Sequence, residues 1–132
     1  MLTDLACNQG EGFVSLKDVA KRQDISKKYL EQIVPLLTSN GILRANKGYL
    51  GGYRLAREAE NITCAQVLKV TEGGLAPVAC LEGEENACPR KSFCPTLSLW
   101  TGLNKVVEDF LGGVTIRDLA DSNKVASEFY NI

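Results

Sequence analysis

Apolar side chains recur at helical spacing between residues 26 and 40, the most regular stretch of the chain. Four aliphatic residues line one face of this segment: Leu30, Ile33, Val34 and Leu37. Steps of three and four residues are typical of an amphipathic helix. Ser26 can accept a hydrogen bond from an amide of the first turn, as helix N-caps do, and Gly41 permits the left-handed conformation that ends a helix. The pattern therefore predicts one helix whose polar face is free to meet a partner.

Two short stretches follow this helix directly and flank a glycine-rich tip. Residues 43–46 and 53–56 are predicted strands, and residues 47–52 between them contain three glycines. Glycine permits positive φ and close backbone approach, which the tip of a narrow ribbon requires. A capped helix followed by a basic, glycine-rich hairpin is the plan of a winged helix-turn-helix, which places the helix in the major groove of DNA.

Shorter helices are predicted around this unit. Residues 1–9 are predicted to end a helix, with Cys7 as a small core residue, and Ser15 and Thr63 each stand at a predicted N-cap. Pro35 lies inside the main helical pattern, and an interior proline costs about 3 kcal/mol. We therefore expect a kink or a break near Val34.

The helical period returns from Leu97 to Leu111 with a broad apolar stripe. Its centre is formed by four residues at steps of three and four: Trp100, Leu103, Val107 and Phe110. A stripe this wide needs a partner surface. The stripe predicts that two copies of the chain form a homodimer through this helix.

The chain is expected to be mainly α with a small β-wing (α+β), a winged helix-turn-helix domain joined to a long dimerisation helix. We place the DNA-binding domain at residues 1–74, a cysteine-containing sensor loop at 75–96, and the dimerisation helix with a C-terminal segment at 97–132. No apolar run reaches the length of about eighteen residues that spans a bilayer. No signal peptide is visible, so we expect no membrane partner and a cytoplasmic location.

Charge is unevenly distributed along the chain, although the formal net charge is only −1. Residues 17–57 hold nine Lys and Arg against three acidic residues, whereas the remainder holds six against thirteen. A basic block around a helix-turn-helix pattern is the electrostatic footprint of a DNA-binding protein. A solvated basic face explains the charge alone equally well. The adjoining predicted wing favours the alternative, binding to double-stranded DNA.

The chain has five cysteines and no histidine. Cys80, Cys88 and Cys94 lie on a segment punctuated by proline and glycine, separated by seven and five residues. Three thiolates on one loop can converge on a soft metal centre. The spacing is not that of a zinc knuckle or of a thioredoxin-like redox site. From the residues alone, metal or cluster binding and unremarkable free thiols both remain open.

The blocks at residues 29–32 (Tyr-Leu-Glu-Gln) and 51–53 (Gly-Gly-Tyr), at this spacing, resemble the bacterial winged-helix regulators typified by IscR, NsrR and CymR. The resemblance spans nearly the whole chain. It implies a homodimer, and in the cluster-binding members an iron–sulfur cluster held by three cysteines just before the dimerisation helix. These cysteines map to Cys80, Cys88 and Cys94. Family members respond to iron–sulfur status, nitric oxide, redox state or cysteine supply, often as repressors.

This sequence departs from the family pattern in three places. The position of the IscR-like histidine ligand is Leu97, so the fourth ligand is unknown: a carboxylate, a solvent molecule or a partner-subunit residue. The family carries a further segment before the start of this chain, which makes Met1 an expected internal methionine of a longer protein. In NsrR-like members that segment supplies a carboxylate ligand. Lys47 replaces the family arginine at the wing tip, and lysine is a more strongly hydrated charge.

The predicted function is that of a dimeric, sequence-specific DNA-binding transcriptional regulator, a repressor, that senses iron–sulfur, redox or nitric oxide status. Two alternatives stand beside it: a DNA-binding regulator with a thiol-redox or zinc site, and an interaction module that no longer binds DNA. An enzyme is not expected, because no nucleophile–base pair or phosphate loop is present. The residues predicted to contact DNA lie on the helix and the wing: Ser26, Lys27, Lys28, Tyr29, Glu31, Gln32, Lys47, Gly48 and Tyr53.

Overall fold

Helices dominate the fold, and one small antiparallel ribbon accompanies them, as the sequence predicts. The structure is a computed structural model that describes residues 1–48, 51–82, 86 and 89–122. Its main elements are α1 (Leu2–Asn8), α2 (Leu16–Gln23), α3 (Lys27–Ser39), β1 (Leu43–Asn46), β2 (Gly52–Leu55), α4 (Cys64–Glu72), α5 (Leu97–Gly112) and α6 (residues 116–122). Single turns of 3-10 helix cover Ala59–Asn61 and Ala79–Leu81. None of the helices in these ranges is long and apolar enough to cross a membrane.

The predicted caps begin the helices of the first half. The Ser15 hydroxyl accepts a hydrogen bond from the Asp18 amide at 3.1 Å and starts α2. The Thr63 hydroxyl accepts from the Gln66 amide, while the Gln66 side chain accepts from the Thr63 amide, so α4 begins with a complete capping box. Each cap satisfies amides that have no partner inside the helix, which fixes the first turn.

α3 continues without interruption through Pro35 to Ser39, so the expected break is absent. A proline removes one donor and costs about 3 kcal/mol in a helix interior. Leu30, Val34 and Leu37 are buried on the inner face of the same helix, and each buried aliphatic side chain contributes about 1.5–3 kcal/mol. Burial of this face therefore outweighs the loss at Pro35.

β1 and β2 form the wing, with a register that runs from Leu43↔Leu55 to Asn46↔Gly52. Val14 extends this ribbon on its other edge, since its amide donates to the Tyr53 carbonyl at 2.9 Å and its carbonyl accepts from the Tyr53 amide at 2.8 Å. A Cβ at Gly52 would lie on the Val14 carbonyl. Glycine at this position therefore lets the segment before α2 pair with the wing.

The hydrophobic core draws on both ends of the described chain. Leu5 of α1, Val19 of α2, Leu30 of α3 and Ile62 are fully buried. Ile116 at the start of α6 joins the same cluster, and its amide donates to the Ile62 carbonyl at 2.9 Å. After α5, the chain thus returns to the core formed by the first three helices. α5 itself has no buried residue.

A buried carboxylate ties α1 to α2. The Asp4 side chain is 1% exposed, and Arg22 donates to its two oxygens at 2.9 and 2.6 Å, while Gln23 donates at 2.9 Å. Desolvation raises the pKa of Asp4, but the hydrogen bonds from Arg22 and Gln23, with the charge of Arg22, outweigh it. The pKa of Asp4 consequently lies below its usual value, and the group stays ionised.

Cys7 is exposed, so the prediction that it is a core residue is wrong. Leu2 and Leu5 occupy the inner face of α1, and Cys7 lies about 200° around the helix from Leu5 at 3.6 residues per turn. Its thiol lies 3.8 Å from the Ala120 carbonyl of α6.

Candidate DNA-reading surface and cysteine segment

The apolar face of α3 packs in the core, so the polar face of the helix lies toward solvent. Ser26 accepts a hydrogen bond from the Tyr29 amide at 3.3 Å and holds the first turn. All the other predicted contact residues of this helix are exposed: Lys27, Lys28, Tyr29, Glu31 and Gln32. They offer ammonium, phenol, carboxylate and amide groups in two successive turns, and these groups read base edges and phosphates.

Two of these side chains are already paired with each other. The Lys27 ammonium lies 3.9 Å from a Glu31 carboxylate oxygen, one helical turn away, and both groups are more than half exposed. An exposed pair of this kind contributes only about 0.3–0.5 kcal/mol. A nucleic acid can therefore exchange this contact for its own at little cost.

The wing tip brings two of its three predicted contact residues to the surface. Lys47 and Gly48 are exposed, and Gly48 has a φ of +127°, which side-chain-bearing residues rarely adopt. The Gly51 amide donates to the Gly48 carbonyl at 3.0 Å and closes the turn. Tyr49 and Leu50 lie outside the described residues. Tyr53 is half-buried and packs against the core, so its part in DNA contact stays a prediction.

The basic surface also includes two arginines whose pairing on the ribbon the sequence analysis did not predict. Arg54 on β2 lies with its guanidinium 5.9 Å from the centroid of the Phe13 ring. Arg44 on β1 is the direct cross-strand partner of Arg54. The signal that could have found this pair is the ribbon register, because partners in an antiparallel ladder share one face.

The structure describes two of the three predicted cluster cysteines. Cys80 lies in the 3-10 turn Ala79–Leu81, Cys94 lies just before α5, and both are half-buried. Cys88 lies outside the described residues. Within the described ranges, no group of three or more cysteine and acidic residues is close enough to hold a metal ion. Metal binding by Cys80, Cys88 and Cys94 therefore stays a prediction.

Two cysteines differ in how readily they form a thiolate. The Thr96 hydroxyl lies 3.6 Å from the Cys94 sulfur. Hydrogen bonds from the side chain and backbone of Thr96, with the charge of Arg90, lower the pKa of Cys94. Burial, and then the carboxylate of Asp118, raise the pKa of Cys64. Metal centres bind thiolates, so the lowered pKa of Cys94 favours the form that a metal site requires.

The predicted dimer stripe on α5 is divided between two faces. One face is half-buried against its own chain and includes Trp100, Val107 and Leu111, and beside it the Lys69 ammonium of α4 lies 3.8 Å from Glu108. The outer face is 41–69% exposed at four large apolar positions: Leu99, Leu103, Val106 and Phe110. Val107, which was expected at the centre of the stripe, therefore faces its own chain. Val106 lies on the exposed outer face instead.

Comparison with known proteins points to one family. The family described as "Rrf2: Iron-dependent Transcriptional regulator" matches residues 1–122. The protein rrf2 of Nitratidesulfovibrio vulgaris is 40% identical over 119 residues, which cover 90% of this chain and 79% of that protein.

Two solved structures share both sequence and fold with this chain. The structure of CymR, the global cysteine regulator of Bacillus subtilis, is 36% identical with a TM-score of 0.73, over 92% of this chain and 88% of that one. The structure of IscR from T. potens is 34% identical with a TM-score of 0.73, over 95% of this chain and 81% of that one.

Proposed function

The chain belongs to the Rrf2 family of transcriptional regulators, and we propose that it is a dimeric repressor that reads DNA through α3 and the wing and senses through three cysteines. It is a regulator rather than an enzyme, as its relatives are. The observation that carries the DNA role is the exposed polar face of the capped helix α3 beside a glycine-tipped wing.

α3 and the wing have different tasks in this proposal. α3 lies in the major groove, where Glu31 and Gln32 contact base edges, since amide and carboxylate groups match the donor and acceptor patterns of bases. Lys47 at the wing contacts the DNA backbone, and such contacts position a protein without reading sequence. The helix therefore sets specificity and the wing adds affinity.

Two substitutions separate these tasks. Gln32→Ala should change the preference among operator sequences by about 1–3 kcal/mol for each base contact that is lost. Lys47→Ala should weaken all sequences alike and reduce the slope of log affinity against log salt by about 0.9. Both are measured by fluorescence anisotropy on a panel of duplexes, with Lys105→Ala on α5 as the control. Lys47→Ala affinity equal to that of wild type at low and high salt would remove the wing from the site.

The homodimer forms through the outer face of α5 in this proposal. Four large apolar side chains on one helix face remain exposed in a single copy, and isolated soluble proteins rarely leave a patch of this kind uncovered. A second copy of α5 offers the same surface, and a two-fold interface is self-complementary by symmetry. Dimerisation would pair two copies of α3, which helix-turn-helix dimers place about 34 Å apart.

Cys80, Cys88 and Cys94 are proposed to hold one iron–sulfur cluster in each subunit. The description of the family as iron-dependent and the relatives named IscR support this reading. A bound cluster would supply a centre that responds to redox state, iron–sulfur status or nitric oxide. Cys94 contributes a thiol whose pKa is already lowered by Thr96.

A specific observation supports the second hypothesis equally, a thiol-redox or zinc site in place of the cluster. CymR of B. subtilis, named in its structure as the global cysteine regulator, resembles this chain as closely in fold as IscR does. Anaerobic purification, followed by iron, sulfide and zinc analysis and an absorption spectrum, decides between the readings. Cys80→Ser should abolish the cluster, whereas Cys64→Ser should retain it. Iron-free wild-type protein from anaerobic cells would exclude the cluster.

The sensor must also be coupled to DNA binding. The cysteine segment lies between α4, the last helix of the proposed DNA-binding domain, and α5, which carries the outer apolar face. Tying this segment to one centre would favour one placement of the two copies of α3. A coupling of about 1–3 kcal/mol changes affinity about five- to 150-fold. Equal operator affinities for cluster-loaded protein and Cys88→Ala would show that the cysteines are not the sensor.

A further inference from the structure

Three arginines surround one small cavity on the outer face of the wing. Arg44 of β1 and Arg54 of β2 are direct cross-strand partners, so their side chains share one face of the ribbon. Arg57 follows two residues after the end of β2. With Gln9, Glu58 and the chain at residues 55–56, these arginines line a cavity of about 220 Å³.

This grouping is unfavourable unless something neutralises it. Like charges directly opposite each other in a ladder destabilise the pairing. Through the ranges that the structure describes, none of the three arginines has a carboxylate oxygen within ion-pair distance, although Arg22 and Arg117 both do. Glu58 is the single acidic residue among the lining residues. The cavity therefore carries an excess of positive charge.

Two of the lining residues, Arg54 and Gln9, are held in place by contacts with uncharged groups, so the net positive charge of the cavity is unchanged. Arg54 donates to the Gly12 carbonyl at 3.3 Å and lies over the Phe13 ring. The Gln9 side-chain oxygen accepts from the Leu55 amide at 2.8 Å and joins the end of α1 to β2. A cavity shaped in advance loses less freedom when it takes up a ligand.

We propose that this cavity binds a phosphate-type oxyanion. The guanidinium group presents a planar fork of donors that matches phosphate oxygens in pairs, and it is more weakly hydrated than an ammonium. The phosphate can come from the DNA backbone beside the wing or from a free anion. The DNA source rests on the proposed function, whereas the free anion does not.

The first arm of the test measures thermal unfolding of the full chain in sodium phosphate and in sodium chloride at equal ionic strength. Phosphate at about nine times its Kd should lower the unfolding equilibrium constant about tenfold for wild type. Arg44→Gln and Arg57→Gln should each lose most of this response. Lys105→Gln, which removes one positive charge from α5, should keep it.

The second arm measures the salt dependence of binding to non-specific duplex DNA. A slope about 0.9 smaller for Arg44→Gln than for wild type assigns the phosphate to DNA. An unchanged slope with a positive first arm assigns the cavity to a free anion. If wild type binds no DNA, the proposed function is wrong. The phosphate response in the first arm would still test whether the cavity binds an oxyanion. Equal phosphate responses in all four proteins and equal slopes would overturn the proposal.

Discussion

α3 and α5 are the longest helices in the described ranges, and they are held by different means. α3 buries Leu30, Val34 and Leu37 in the core of its own chain. α5 is three residues longer and buries none of its side chains. Both have apolar residues at helical spacing, so the spacing alone does not tell whether the covering surface belongs to the same chain.

The N-terminus of α3 is also held more firmly than that of α5. Ser26 caps α3 through its hydroxyl, whereas Thr96 at the start of α5 makes no side-chain cap hydrogen bond. α3 is fixed both locally and by the core. α5 relies on half-buried contacts with its own chain and, in the proposed dimer, on a second copy.

Truncation in the core of the DNA-binding half should have the largest effect on the stability of one chain. Leu30→Ala should lower the free energy of unfolding by about 2–5 kcal/mol, because a fully buried leucine leaves a cavity. Leu99→Ala on α5 should cost less than about 1 kcal/mol, since its side chain is mostly in water. Urea denaturation of dilute protein measures both. Equal losses would mean that Leu99 is buried at this dilution, by its own chain or by a second copy.

A charge on the outer face of α5 should act on association rather than on folding. Val106→Glu should raise the dimer dissociation constant about 100-fold, because each copy would lose at least about 1.4 kcal/mol on burying an unpaired carboxylate. Thr101→Glu adds the same charge at an exposed polar position and should leave the constant nearly unchanged. Analytical ultracentrifugation measures both. Wild type that sediments as a monomer at micromolar concentration contradicts the proposed dimer.

The ion pairs of the two regions should differ in strength. Asp4→Asn should cost about 1–3 kcal/mol at neutral pH, because it removes a buried acceptor from Arg22 and Gln23. Asp109→Asn breaks the exposed pair with Lys105 and should cost no more than about 0.5 kcal/mol. Urea unfolding at neutral pH measures the difference.

The Asp4 contribution should also depend on pH. Its pKa is lower in the folded chain than in the unfolded one, so its stabilisation is complete above the unfolded value of about 3.9 and is lost as pH falls through the folded value. Wild type should therefore lose stability more steeply than Asp4→Asn below about pH 4. Parallel curves for the two proteins in that range would argue against the ion pair.

The smallest expected difference concerns two threonines at helix starts. Thr63→Ala should cost about 1 kcal/mol, since it removes the capping box of α4. Thr96→Ala should cost only a few tenths of a kcal/mol, within the range of ordinary surface substitutions, because Thr96 caps nothing through its side chain. Thermal unfolding of the pair is the measurement. A larger loss for Thr96→Ala would show that α5 is capped in solution.

Local chemistry explains why most of the elements were predictable. Ser15, Ser26 and Thr63 each accept from an amide three residues away, so their patterns are complete in the sequence itself. The predicted strands agree with β1 and β2 to within one residue. The break considered at Pro35 is absent because propensity is local, whereas the burial that overrides it comes from α1, α2 and the wing.

The sequence by itself determined where helices and strands begin, that a polar helix face adjoins a glycine-tipped wing, and which family the chain belongs to. These features depend on neighbours along the chain. Only the tertiary structure decided that Val106 rather than Val107 faces outward, that Cys7 is exposed, and that Arg44, Arg54 and Arg57 share a cavity. Each of these depends on which surface of one element is covered by a distant element, and periodicity does not specify that surface.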